Sequence, residues 1–201
     1  QSIFGHHGYR QLMHDQQLTE EEVAFFDEPH NFLLSSEDFI SLNKEHFEYL
    51  RNTIASKQIV VVFAWRRASF KLYSIWQETI KHGGTETFYA YYHDHLARPG
   101  QSQMLSPDLK LSMFSQVFGK ENIRIVDYDA AAKAGDLLPV FCKTVGVDWN
   151  DQFATPEKNA HAVNRSMDIG DIEVIRALNH LFKSNWGIQG PKVRVAYAKC
   201  T

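Results

Sequence analysis

Only two of the 201 residues are cysteine, Cys142 within a helical pattern and Cys200 at the penultimate position, so no disulfide framework can carry this fold. A packed core must do so instead. A basic excess is missing too: 21 Lys and Arg stand against 24 Asp and Glu, a formal net charge of −3. That balance gives no global attraction for nucleic acid, so any anion site has to be a local feature. The longest apolar run, Ile59 to Trp65, is far shorter than the roughly 20 residues that cross a bilayer. No signal-peptide pattern is visible at Gln1, and a cytoplasmic setting without a membrane span is expected. Internal repeats and low-complexity linkers are also missing. What is present is apolar content, 44% of residues hydrophobic and 13% aromatic, enough for a sizeable core. The chain reads as one domain over residues 1–201.

Two periodicities alternate along it. "NFLLSS" (31–36), "IVVVFAW" (59–65) and "IRIVDY" (123–128) are short β-branched or aromatic runs that predict strands. The middle one is apolar on both faces, as in a central parallel strand covered by helices. Helices are predicted over 44–56, with Phe47, Leu50 and Ile54 on one face, and over 106–119, with Ser106 as N-cap, Pro107 in the first turn and Gly119 as the stop. Two more are predicted over 130–145, interrupted by Gly135 and Pro139, and over 171–184, and 147–170 reads as a long polar loop. Strands alternating with helices imply an α/β layer fold with a mostly parallel central sheet.

The stretch "VVVFAWRRASFKLYSIWQETIKHG" (60–83) passes from strand to helix without a glycine and places Arg66 and Arg67 at the junction. Open parallel sheets bind ligands at the carboxyl ends of their strands, and the first amides of the next helix add attraction for an anion. Ser74, eight residues after Arg66, is on that helix, where its hydroxyl can donate to an oxygen that the guanidinium also grips. Phosphate suits the planar fork of an arginine. An arginine pair at a strand end is also commonly a solvated surface feature.

The pattern of hydrophobic strand, Trp65, Arg66, seven residues, Ser74 and a helix leading to "KHG" resembles the 3′-phosphate-binding element of sulfotransferases that use 3′-phosphoadenosine 5′-phosphosulfate (PAPS). "FLLSSEDF" (32–39), "FGKENIRIVDYD" (118–129) and the weaker "NRS" (164–166) resemble segments of bacterial, carbohydrate-sulfotransferase-like members. The resemblance covers most of residues 30–170. It implies a three-layer fold like that of P-loop nucleotide transferases, PAPS as co-substrate and adenosine 3′,5′-bisphosphate as product, with no metal. Arg66 and Ser74 then hold the 3′-phosphate beside Arg67, Tyr128 contacts the adenine, and Arg165 closes over the phosphate. Bland roles compete for the last two: Tyr128 as a cap on the core edge and Arg165 as a solvated loop residue. Two departures stand out. Ala68 replaces the usual proline, and no segment resembles the family's 5′-phosphosulfate loop with its Lys, Gly and Ser/Thr. "QSIFGHHGYRQLMHD" reads like the middle of a protein, so that loop is expected before Gln1; a homologue that has lost the loop is the alternative.

The implied reaction is in-line transfer of a sulfuryl group to a hydroxyl or amine, the acceptor being a carbohydrate. Glu37, after "NFLLSS", is the first candidate base, with a role at a helix start as its competitor. His6 and His7 in "GHHG" are the others, against the exposed state common for adjacent histidines. His93 and His95 are two residues apart and do not share a helical face, which argues against a metal pair. Trp65, Phe70, Tyr73 and Trp76 are expected in the core. "FYAYYHDHL" (88–96) is amphipathic and suits either an acceptor cleft or a homo-oligomer contact. A catalytically inactive binding or scaffolding protein is the competing function. A P-loop kinase would also need a glycine-rich loop that is not seen.

Overall fold

Segments with apolar residues three and four apart become helices, and the two strands come from β-branched runs. The structure, a computed structural model, describes residues 18, 20–102, 104–150, 167–187 and 190–200. In chain order these form α1 (Glu20–Asp27), a 3₁₀ turn (Glu37–Ser41), α2 (Lys44–Thr53), β1 (Val61–Trp65), α3 (Ala68–Lys81), α4 (Phe88–Ala97) and α5 (Pro107–Phe118). Then come β2 (Ile123–Asp127), α6 (Tyr128–Ala134), α7 (Leu137–Thr144), α8 (Ile169–Trp186) and α9 (Gly190–Cys200). β1 and β2 pair in a two-stranded parallel sheet, so the described chain is a helix-rich α/β protein. It divides into two compact units, Gln1–Phe63 with Asp108–Val126, and Ala64–Pro107 with Asp127–Thr201. No helix among the described residues is long and apolar enough to cross a membrane.

In the first unit Asn43 starts α2. Its side-chain oxygen accepts from the His46 N–H, and the His46 Nδ1 accepts from the Asn43 N–H, both at 3.2 Å, a reciprocal cap with histidine in the usual Glu/Gln position. The expected stripe of Phe47, Leu50 and Ile54 is buried against Phe114, Val117 and Phe118 of α5, joined by Phe26 and Leu42. Phe47 meets the Phe114 ring edge-on at 5.1 Å. Gly119 ends α5 with φ of 89°, as its stop position requires.

Residues 31–36 are not a strand. Their burial alternates, with Phe32 and Leu34 packed on the core and Leu33 exposed, but no ladder partner stands beside them among the described residues. β1 is also less covered than its composition suggests: Ile59, Val61 and Phe63 pack inward while Val60 and Trp65 are exposed. Within β1 the first three residues are half-buried and the last two exposed, so the strand is only partly covered and is not buried as a central strand would be.

In the second unit Leu72, Trp76 and Ile80 recur at every fourth position of α3 and are fully buried, Trp76 and Ile80 in a cluster with Ile172 and Ile175 of α8. The turn after α3 is made by Gly83, with φ of 102°, and Gly84, where a Cβ would lie 2.9 Å from the Thr79 carbonyl oxygen. Its carbonyls are met by buried side chains. Asn179 Nδ2 donates to the Ile80 and Gly84 oxygens at 2.7 and 3.0 Å, and Trp76 Nε1 donates to the Glu86 oxygen at 2.9 Å. The helix expected over 130–145 is two helices, because Gly135 adopts the left-handed conformation that ends α6. Pro139 falls in the first turn of α7, where a missing N–H costs nothing. Of the four aromatic residues expected inside, Trp76 is buried and Tyr73 packs beside it at 5.8 Å, whereas Trp65 is 37% and Phe70 47% exposed.

Phe47→Ala should therefore cost about 3 to 5 kcal/mol in denaturant unfolding and Phe70→Ala less than about 1 kcal/mol. Equal losses would contradict this division between core and surface.

Candidate anion-binding site

Parallel pairing means that the chain leaves β1 and β2 at the same edge of the sheet. Arg66 follows β1, and Tyr128 and Asp129 follow β2. Arg66 Nε donates to Asp129 Oδ1 at 3.0 Å, and its guanidinium carbon lies 5.2 Å from the centre of the Tyr128 ring. The other oxygen of the carboxylate, Oδ2, accepts from the Arg67 backbone N–H at 2.8 Å. Side-chain exposure is 31% for Arg66 and 19% for Asp129, so water screens the pair less than it would a surface pair. Among the described residues no further hydrogen bond reaches the two terminal nitrogens of Arg66.

Asp129 is held by its own helix. Asp127 caps α6 by accepting from the Ala130 N–H at 3.0 Å, which places Asp129 in the first turn, where a carboxylate is favoured by the dipole.

The start of α3 has the opposite character. Arg67 is its N-cap and gives it no side-chain hydrogen bond, and no acidic residue is in the first turn. Arg66, Arg67 and Lys71 instead bring three cations to the positive end of the helix, a sign that costs stability unless an anion answers it. The Asp129 carboxylate supplies one negative charge. Arg67 lays its guanidinium 5.1 Å from the centre of the exposed Phe70 ring, which gives that ring a partner at the surface. Burial lowers the Lys71 ammonium below its ordinary value.

Compared with protein-family models, curated proteins and solved structures, the chain matches none.

Of the residues singled out in the sequence, the structure brings Arg66, Arg67 and Tyr128 together around Asp129. Ser74 is about two helical turns beyond Arg67, with Lys71 between them on the same face. No hydrogen bond joins it to Arg66. Thr53, Thr79 and Thr144 each donate their hydroxyl back to the carbonyl four residues earlier, but the Ser74 hydroxyl makes no such bond among the described residues. His6, His7 and Arg165 are outside the described residues, and of Glu37 only the backbone, in the 3₁₀ turn, is described. The His93 ring lies 4.2 Å from that of Tyr89 in a tilted contact, and His95 Nδ1 is 2.9 Å from the Ser102 hydroxyl. Among the described residues no three His, Cys, Asp or Glu side chains gather as a metal site.

In the sequence Asp129 stands out only as the neighbour of Tyr128. The available signal is its place, two residues past the end of β2, where a parallel neighbour delivers a side chain to the residue just after β1.

The Lys71 shift carries a sign that can be tested. The folded state holds that proton more weakly than the unfolded chain, so stability should rise as pH climbs toward the ordinary lysine value of 10.5. Subtracting a Lys71→Met variant from wild type in denaturant unfolding over that range should isolate this rise. A difference that does not change with pH would contradict the burial of Lys71.

Proposed function

We propose that this chain binds the 3′-phosphate of a nucleotide through Arg66 and Ser74 and serves a PAPS-dependent sulfotransferase whose acceptor is a carbohydrate hydroxyl or amine. The observation that carries the reading is the state of Arg66. Its Nε is tied to Asp129 and its face to Tyr128, while the fork of terminal nitrogens has no partner among the described residues. A fork held in this way matches two oxygens of a phosphoryl group. The surplus of cations at the start of α3 and the unengaged Ser74 hydroxyl support the same ligand. Tyr128, whose ring centre is 5.2 Å from the Arg66 guanidinium, is the candidate contact for the adenine. A three-layer fold like that of P-loop nucleotide transferases goes with this reading.

In the reaction an acceptor oxygen or nitrogen forms a bond to sulfur as the bond from sulfur to the bridging phosphate oxygen breaks. A base takes the acceptor proton, with Glu37, His6 and His7 as candidates, and cations neutralise the departing phosphate. Arg66 acts in that step by binding and orienting the nucleotide.

Isothermal titration with adenosine 3′,5′-bisphosphate tests the site. Arg66→Ala and Ser74→Ala should each weaken binding by roughly 1.5 to 3 kcal/mol, the range of a hydrogen bond to a charged group. Unchanged affinity in both variants would remove the assignment. Binding without turnover of PAPS would favour the inactive, scaffolding alternative.

A further inference from the structure

We propose that Asp129 is the positioning residue of this site: by taking Arg66 Nε and the Arg67 N–H, it sets the Arg66 fork toward a phosphomonoester and so creates the preference for a nucleotide with an additional phosphate. The inference rests on the nucleotide reading above and adds the residue that sets its specificity.

The geometry separates this role from two others. A carboxylate that only neutralised Arg66 would be expected to engage the terminal nitrogens, where two parallel bonds are available. Asp129 instead bonds Nε with one oxygen and gives the other to a backbone amide, so its two acceptors fix the guanidinium relative to the start of α3. A carboxylate that competed with the ligand would be expected on a mobile side chain. This one is 19% exposed and is in the first turn of a capped helix. The Tyr128 ring removes the remaining freedom by covering one guanidinium face at 5.2 Å. Arg66 is thus held at its Nε, at its face and by the chain itself, and only the fork is left for a ligand. An arginine arranged in this way spends less conformational freedom on binding.

The effect should appear in specificity, which a purely structural contact would not alter. Dissociation constants for adenosine 3′,5′-bisphosphate and adenosine 5′-phosphate are to be measured on wild type, Asp129→Asn, Arg66→Ala and the double variant. Asn keeps the size and one acceptor for the Arg67 N–H but presents an amide to Nε, so the start of α3 is preserved. Wild type should prefer the bisphosphate by about tenfold or more, and Asp129→Asn should lose most of that preference with the monophosphate affinity unchanged. The double variant should bind no more weakly than Arg66→Ala, since Asp129 acts through Arg66.

A ligand-free measurement accompanies these. The Arg66 Nε–H resonance, assigned by its loss in Arg66→Ala, should be protected from exchange in wild type and unprotected in Asp129→Asn. An unprotected Nε–H in wild type would overturn the positioning role, as would tighter bisphosphate binding by Asp129→Asn or an equal loss for both nucleotides. A protected Nε–H with no nucleotide binding in wild type would instead overturn the nucleotide reading, and the specificity role with it.

Discussion

One carboxylate ties together the chain segments that leave the two strands. Asp129 binds the side chain of Arg66 and the backbone of Arg67, contacts that span 63 and 62 residues of sequence. Without it, α3 would begin with three cations, no acid in its first turn and no side-chain cap. Charges of that sign at a helix start are unfavourable, and a chain selected for stability alone would replace them with Asp, Ser or Thr. Local rules of this kind are broken chiefly at functional sites. Here the breach and its partial compensation occur side by side, one anion against three cations.

Helix α3 connects this charge to the rest of its unit. Its start carries the cations, its middle is seated in the core through Leu72, Trp76 and Ile80, and its end is held by the Asn179 amide on the Ile80 carbonyl and on that of Gly84 in the turn beyond. Each level has a different physical cause: electrostatics at the start, apolar burial in the middle, hydrogen bonding at the end. A ligand bound at the start of α3, as proposed, would meet a helix fixed along its length, so little order would have to be created on binding.

How much of this is legible in the sequence depends on the range of each interaction. The α2 stripe of Phe47, Leu50 and Ile54, the span of α5 between Pro107 and Gly119, and the strands near 61–65 and 123–127 are readable, because periodicity and turn chemistry act over a few residues. Residues 31–36 mislead for the complementary reason. Their alternation is real, but a strand also needs a neighbour, and no local pattern reports one. The apolar character of Trp65 and Phe70 points inward, whereas the Arg67 guanidinium gives Phe70 a partner at the surface. In the site, residue type and position single out Arg66, Arg67 and Tyr128, but they underrate Asp129 because its partners lie on a distant segment. Asn179 gives no signal at all: in sequence it is one polar residue in an amphipathic helix, and its role depends on carbonyls 99 and 95 residues away.

A net charge of −3 gives no sign of a local cluster of cations, yet Arg66, Arg67 and Lys71 gather at the start of α3. The proposed nucleotide site depends on where the free end of Arg66 points once a ligand is present. A crystal structure with adenosine 3′,5′-bisphosphate would test this most directly. It should place a phosphoryl group within about 3 Å of the terminal nitrogens of Arg66, with the Nε bond to Asp129 intact and the Ser74 hydroxyl on the same group. A nucleotide bound elsewhere, or an Arg66 fork turned onto Asp129 with no room for phosphate, would contradict it.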